Sequence, residues 1–238
     1  MNCIAIAPLD PIVLVASGSK VNEYNIESGV LRKSHTGHIV DVTSVSFCND
    51  GKVFASGDKE GVVIVWNTSG NILTRLRAKS EIRTVYYNPG STVLGVISTN
   101  DYFIWHEKQP AYKLTRVYLP DTSICCFCKP TARLTCAAWS TDGRLLAIGT
   151  DIGLVYICDN EGVEYVRIEH RSRTSILSLA WGLVDNEGLL AVGATDGTLC
   201  VYHENGSAVK EILVLTSLPT ALTFMGNVLV IGQNDGQV

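Results

Sequence analysis

No stretch of this chain runs to 18 consecutive apolar residues, so no segment reads as a membrane-spanning helix. No long run of lysine and arginine occurs, and the net charge is -4. That balance argues against a nucleic-acid surface as the main business of the chain. The G-x-S-x-G, P-loop and dinucleotide-fingerprint patterns are missing, which removes common signatures of acyl transfer, nucleotide hydrolysis and hydride transfer. The first 18 residues are apolar and end in small residues, yet no basic segment opens them, and Asp10 and Pro11 interrupt them. They do not read as a signal peptide.

What is present is globular. Hydrophobic residues make up 46% and charged residues 18%, enough to bury a core. The 21 glycines and seven prolines suit many tight turns. Most of the eight cysteines replace apolar residues at strand positions, as buried, reduced thiols do, which fits the cytoplasm better than a disulfide scaffold. Cys125 and Cys128 have C-x-x-C spacing, with Cys136 eight residues further on. Structural zinc wants four N or S ligands, usually as two such pairs, and no second pair is present. The expectation is therefore an apolar segment with buried thiols, without metal or cofactor.

Self-similarity is the main signal. Val42 to Trp66 holds three alternating runs parted by Asn49-Asp50-Gly51 and Lys59-Glu60-Gly61. Alternation marks half-buried strands, and the Asp-Gly and Glu-Gly turns mark hairpins. The unit recurs. TDGRLLAIGTDIGLVYI at 141–157 overlays NDGKVFASGDKEGVVIV at 49–65 without a gap. Taking the glycine after the second strand as a marker gives Gly18, Gly57, Gly149, Gly193 and Gly232, with Ser98 in the same slot between Gly57 and Gly149; the spacings are 39, 41, 51, 44 and 39. A period of roughly 40–45 residues with four strands per unit is that of a propeller blade. The expected fold is all-β: one propeller region over 1–238, of about five blades and part of a sixth, incomplete at its C-terminus as a seven- or eight-bladed ring would be. Residues 119–133 exceed the period and are expected to form a loop on one face, where partners are met.

Thr36-Gly37-His38, then Phe47, Ser56 and Trp66, resembles the WD40 repeat family. The family pattern of His, Ser/Thr, Asp and Trp pinning a blade by hydrogen bonds maps onto His38, Ser56 and Trp66, with Glu60 in the Asp slot. The fifth and sixth units keep Asp196-Gly197 and Asp235-Gly236, but Tyr202 replaces Trp, no Gly-His precedes either, and the fourth has Ile152 and Cys158 in the Asp and Trp slots. The wording of whole repeats, IRTVYYNPGSTVLGVISTNDYFIW at 82–105 above all, resembles the WD40 subunits of the intraflagellar transport A complex. That resemblance implies a non-catalytic scaffold in retrograde ciliary transport and ciliary cargo delivery. It also implies other subunits of that complex as partners, and a cytoplasmic, ciliary and basal-body location. A generic cytosolic WD40 adaptor of the coat or ubiquitin-ligase type is the alternative.

Catalysis has little to stand on. His38 reads as a blade residue, the other four histidines lie near turns with no nucleophile motif beside them, and the recurring Asp-Gly pairs are turn chemistry. Arg75, Arg77, Lys79 and Arg83 cluster before the third unit. They could meet a phosphate or an acidic partner, but charge on an exposed edge strand that blocks edge pairing is the commoner explanation. Blade geometry gives Asp41, Lys59, Glu81, Arg83 and Thr195 as candidate partner contacts, at turns and strand openings. No nucleic acid and no small-molecule substrate are expected.

Overall fold

Alternating runs become strands and the Asp-Gly and Glu-Gly pairs become their turns. The computed structural model describes residues 3–99, 102–106, 115–116, 132–160, 162–171 and 173–237. Chain contacts divide into two compact units, Met1–Arg116 and Val117–Val238. Among the described residues there is no helix, and so none long and apolar enough to cross a membrane.

The first unit holds three four-stranded antiparallel sheets. Blade 1 is β1 (Ile4–Ile6), β2 (Ile12–Ser17), β3 (Lys20–Asn25) and β4 (Leu31–Thr36). Blade 2 is β5 (Val42–Phe47), β6 (Val53–Asp58), β7 (Val62–Asn67) and β8 (Ile72–Arg77). Blade 3 is β9 (Ile82–Tyr87), β10 (Val93–Ser98), β11 (Tyr102–His106) and β12 (Thr115–Arg116). In the second unit, blade 4 is β13 (Leu134–Trp139), β14 (Leu145–Thr150), β15 (Leu154–Asp159) and β16 (Glu164–Glu169). Blade 5 is β17 (Ile176–Val184), β18 (Glu187–Ala194), β19 (Thr198–His203) and β20 (Ala208–Val214). A two-stranded sheet, β21 (Pro219–Met225) with β22 (Val228–Gln233), follows.

Within each unit the core lies between neighbouring blades. Leu14, Ala16 and Val21 of blade 1 bury against Val42, Val45 and Phe54 of blade 2. Val63 and Val65 of blade 2 bury with Val85 and Val96 of blade 3, and Val155 and Ile157 of blade 4 with Leu179 and Val192 of blade 5. A sheet covered on both faces reads as continuously apolar, whereas one with a wet face alternates. β6 is accordingly buried at every residue, while β8 is mostly exposed. The outer strands β16 and β20 escape a sequence reading because their apolar and charged residues do not alternate strictly.

Every inner strand except β1 opens with a bulge. Register shifts between Val42 and Ser44, Leu134 and Cys136, Ile176 and Ser178, and Pro219 and Ala221, and across Ile82 and Thr84, leave Thr43, Thr135, Leu177, Thr220 and Arg83 as the extra residues. A bulge leaves its extra residue out of the ladder and re-aims the side chain.

The marker glycines have a packing reason. A Cβ on Gly57 would lie 2.4 Å from Cγ2 of Ile82, the first residue of the next blade, and Gly149 and Gly193 meet Ile176 and Pro219 in the same way. Gly18 is different. In the pairing ladders Ala16 stands opposite Val21, as Gly57 stands opposite Val63. The first blade therefore has Ala16 in that slot, and Gly18 (φ 56°) belongs to the turn after β2. Gly57→Ala is expected to cost about 1–3 kcal/mol by overpacking. Ile82→Ala placed in that background should cost clearly less than it does alone, as measured by a double-mutant cycle in urea; strict additivity would exclude the contact.

Candidate interaction site

The best-formed polar constellation pins blade 2. His38 leads into β5, Ser56 and Asp58 lie on β6, and Trp66 lies on β7. Side chains two apart on a strand share a face, so Ser56 and Asp58 both meet the His38 ring. Trp66 Nε1 donates to Ser56 Oγ at 2.8 Å, Ser56 Oγ lies 2.8 Å from His38 Nε2, and His38 Nδ1 lies 2.7 Å from Asp58 Oδ2. The indole can only donate and the carboxylate only accept, which fixes the neutral histidine as Nδ1–H with Nε2 accepting from serine. Asp58 Oδ1 also accepts the backbone N–H groups of Glu60 and Val62, at 3.0 and 2.9 Å. Burial lowers the His38 pKa despite the Asp58 contact.

The carboxylate of this set is therefore Asp58 and not Glu60. Glu60 is exposed in the turn after β6 and gives the set only its backbone N–H. The strand period decides it: residue 58 stays on the Ser56 face, and residue 60 has left the strand.

Two further buried histidines were not singled out from sequence. His170, fully buried after β16, lies 2.9 Å from Thr198 Oγ1 and 3.2 Å from Tyr202 Oη. Asp196 accepts from the Thr198 hydroxyl at 2.5 Å. Blade 5 thus builds its own set without Gly-His, and Thr198 supplies the hydroxyl because Val192 stands where blade 2 has Ser56. In blade 1, His35 Nε2 lies 3.2 Å from Glu23 Oε2, and its ring packs edge-on to Phe54 and Trp66 of blade 2. Glu23 is 8% exposed and occupies the β3 position held by Val65, Ile104, Ile157 and Val201 in the other blades. The only available signal was an acid breaking an apolar register.

Four of the expected contact residues come together. Asp41, Lys59, Glu81 and Arg83 rim a depression of about 250 Å³ in the first unit, floored by Gly18, Val42, Thr43 and Ile82. Lys59 Nζ donates to Asp41 Oδ2 at 2.7 Å, and Arg83 Nη2 is 3.6 Å from Glu81 Oε2. The Lys59 ammonium holds the Asp41 carboxyl below the usual carboxylate range, and Asp41 raises Lys59 in return. Thr195 lies in the second unit, in a separate depression of about 270 Å³ with Asp196, Leu215 and Asn234. It holds the same place in its blade as Lys59: Thr195 N donates to Ser175 O at 2.9 Å as Lys59 N donates to Asp41 O at 3.1 Å.

The described residues contain no group of three or more His, Cys, Asp or Glu placed to hold a metal ion. Cys125 and Cys128, and the loop 119–133 apart from its last two residues, lie outside the described residues. Burial pushes the Cys136 and Cys158 thiols up to about 12, far from the thiolate that reacts or ligates.

Four-stranded blades that repeat a marker glycine, and a Trp-Ser-His-Asp chain within one of them, define a WD40-type β-propeller. The chain belongs to the family described as the IFT122 first beta-propeller, whose model matches residues 1–238. It is 28% identical to the intraflagellar transport protein 122 homolog of Xenopus tropicalis over 99% of this chain and 19% of that protein. The Danio rerio homolog is also 28% identical, over 98% of this chain and 19% of its own length. A wider match is the small ribosomal subunit protein RACK1y of Oryza sativa, 25% identical over 66% of this chain and 47% of that protein. The chain thus spans about a fifth of the length of the first two relatives.

Proposed function

We propose that this chain is a non-catalytic protein-interaction scaffold of the intraflagellar transport A complex, acting in retrograde ciliary transport and in delivery of cargo to the cilium. The match of the IFT122 first beta-propeller family over the whole chain carries the reading. The structure supports its scaffold half. Blades packed through buried apolar clusters present turns and bulges on their ends, which suits assembly more than turnover. Asp41, Lys59, Glu81, Arg83 and Thr195 are the contact positions on this reading, and other subunits of the complex are the partners. The protein then works in the cytoplasm, at the basal body and in the cilium.

Affinity purification of the tagged chain from a ciliated cell tests it. Other subunits of the transport complex should be recovered at levels comparable with the bait. Their consistent absence, with the chain folded, overturns the reading. In that case the more distant likeness to RACK1 favours a general cytosolic WD40 adaptor.

A further inference from the structure

The basic residues Arg75, Arg77, Lys79 and Arg83 cluster in sequence but not in space. Arg75 lies on the outer strand β8 and donates to the Gly37 carbonyl at 3.2 Å. Arg77 ends the same strand, and Lys79 follows in the connection to blade 3. Arg83 alone of the four reaches the depression rimmed by Asp41, Lys59 and Glu81.

Arg83 is also out of place in its blade. It is the extra residue of the β9 bulge. Three of the other four bulge residues are Thr43, Thr135 and Thr220. The Thr43 hydroxyl donates to Ile82 O at 2.6 Å, with Gly57 O at 3.1 Å, and the Thr220 hydroxyl donates to Gly232 O at 3.2 Å, so both are spent on nearby backbone. An arginine cannot close that short loop, so its guanidinium is sent over the depression.

The charges around the depression are unequally satisfied. Asp41 is neutralised by Lys59 at 2.7 Å. Glu81 stands 3.6 Å from Arg83, beyond hydrogen-bond distance. Among the described residues that one carboxylate oxygen is the only acceptor recorded near a guanidinium with five N–H donors in a fixed fork. Such a fork matches a carboxylate with two parallel hydrogen bonds.

We propose that Arg83 is the anchor for an acidic side chain of a protein partner, whose carboxylate takes the free donors of Arg83. The inference rests on the scaffold reading and names the chemistry of its partner at this one site. Glu81 keeps the fork in position until the partner displaces it, and Lys59 stays committed to Asp41. The contact is exposed and ionic, so it weakens as salt is added.

The test uses the full chain and three synthetic peptides of equal length, with glutamate, glutamine or lysine alternating with serine, plus inorganic phosphate. The readouts are fluorescence polarisation and the NMR signal of the Arg83 side-chain Nε–H. Expected results are a shift of that signal with the glutamate peptide, no shift with the glutamine or lysine peptides, and at least roughly fivefold weaker binding by Arg83→Thr. Arg83→Thr restores the commonest bulge residue, and its urea midpoint checks that it folds. The proposal falls if the glutamate peptide leaves the Arg83 signal unmoved, or if Arg83→Thr binds it equally well. Phosphate shifting the signal as strongly as the glutamate peptide also overturns it, since Arg83 would then be a general anion site. Recovery of transport subunits by the wild-type chain separates the two claims. If they are recovered while the peptide test fails, only the Arg83 assignment is lost.

Discussion

Asp58→Ala is expected to destabilise the chain by about 3–5 kcal/mol, and Glu60→Ala by no more than about 0.5 kcal/mol. Asp58 closes the hydrogen-bond chain that begins at the Trp66 indole, and its side chain is 3% exposed. Removing it strips His38 Nδ1–H and two backbone N–H groups of their acceptor. A buried donor left unpaired, here His38 Nδ1–H, costs about 1–3 kcal/mol, and the two part-buried backbone donors add to that. The ring cannot recover by flipping, because its other nitrogen already meets Ser56 at 2.8 Å. Asp58→Asn keeps an acceptor and should fall between the two. Urea denaturation of the three variants measures this. Equal losses for Asp58→Ala and Glu60→Ala would return the carboxylate role to the turn.

Stability is expected to fall steeply between pH 7 and pH 5. His35, His38 and His170 are buried, and burial lowers the pKa of each, with Glu23 at His35 and Asp58 at His38 only partly opposing it. The charges that act on His35 are Glu23, which favours its protonation, and Lys33 on its own strand, which opposes it; Arg32 lies 3.7 Å from Glu23. His38 has Asp58 and the more distant Arg75, and His170 has Asp196. In the unfolded chain each histidine takes up its proton near 6.5. In the folded chain it does so only at lower pH. The unfolded state therefore binds more protons in this window, and stability rises with pH. The contribution is complete above about 6.5 and is lost as the pH drops from there toward the folded pKa values, at up to about 1.4 kcal/mol per pH unit for each histidine. Urea midpoints at pH 7, 6 and 5 should fall in order. His170→Gln should be less stable at pH 7 yet lose roughly a third of the pH slope. A midpoint unchanged between pH 7 and pH 5 would remove the linkage.

The same residues show how far sequence reaches. Strand period, turn chemistry and the repeat length are local properties. They are set by backbone sterics and by which residues tolerate a tight turn, so the blades and most of their strands were legible. The WD40 reading followed from them and is borne out. The marker glycine was legible as a repeat, but its reason, contact with Ile82, Ile176 and Pro219 of the following blade, was not. Nor was the exception at Ala16, since only the pairing ladder shows that Gly18 has slipped into the turn.

Polar partnership was decided by the tertiary structure. Local spacing offered two carboxylates within three residues, and the one that counts is the one the strand pleat aims at His38. Blade 5 lost its Gly-His and its tryptophan but rebuilt a buried histidine site from Thr198 and Tyr202, because a buried imidazole must find partners wherever the packed strands offer them. Glu23 and His35 could be matched only after β3 and β4 were laid side by side. Arg83 parted from its basic neighbours because a single extra residue in a strand re-aims one side chain and leaves the next in register. The amino-acid sequence by itself determined the blades and their order. Which charged groups meet, and which are left with donors to spare, depended on cross-strand and cross-blade distances that no local pattern encodes.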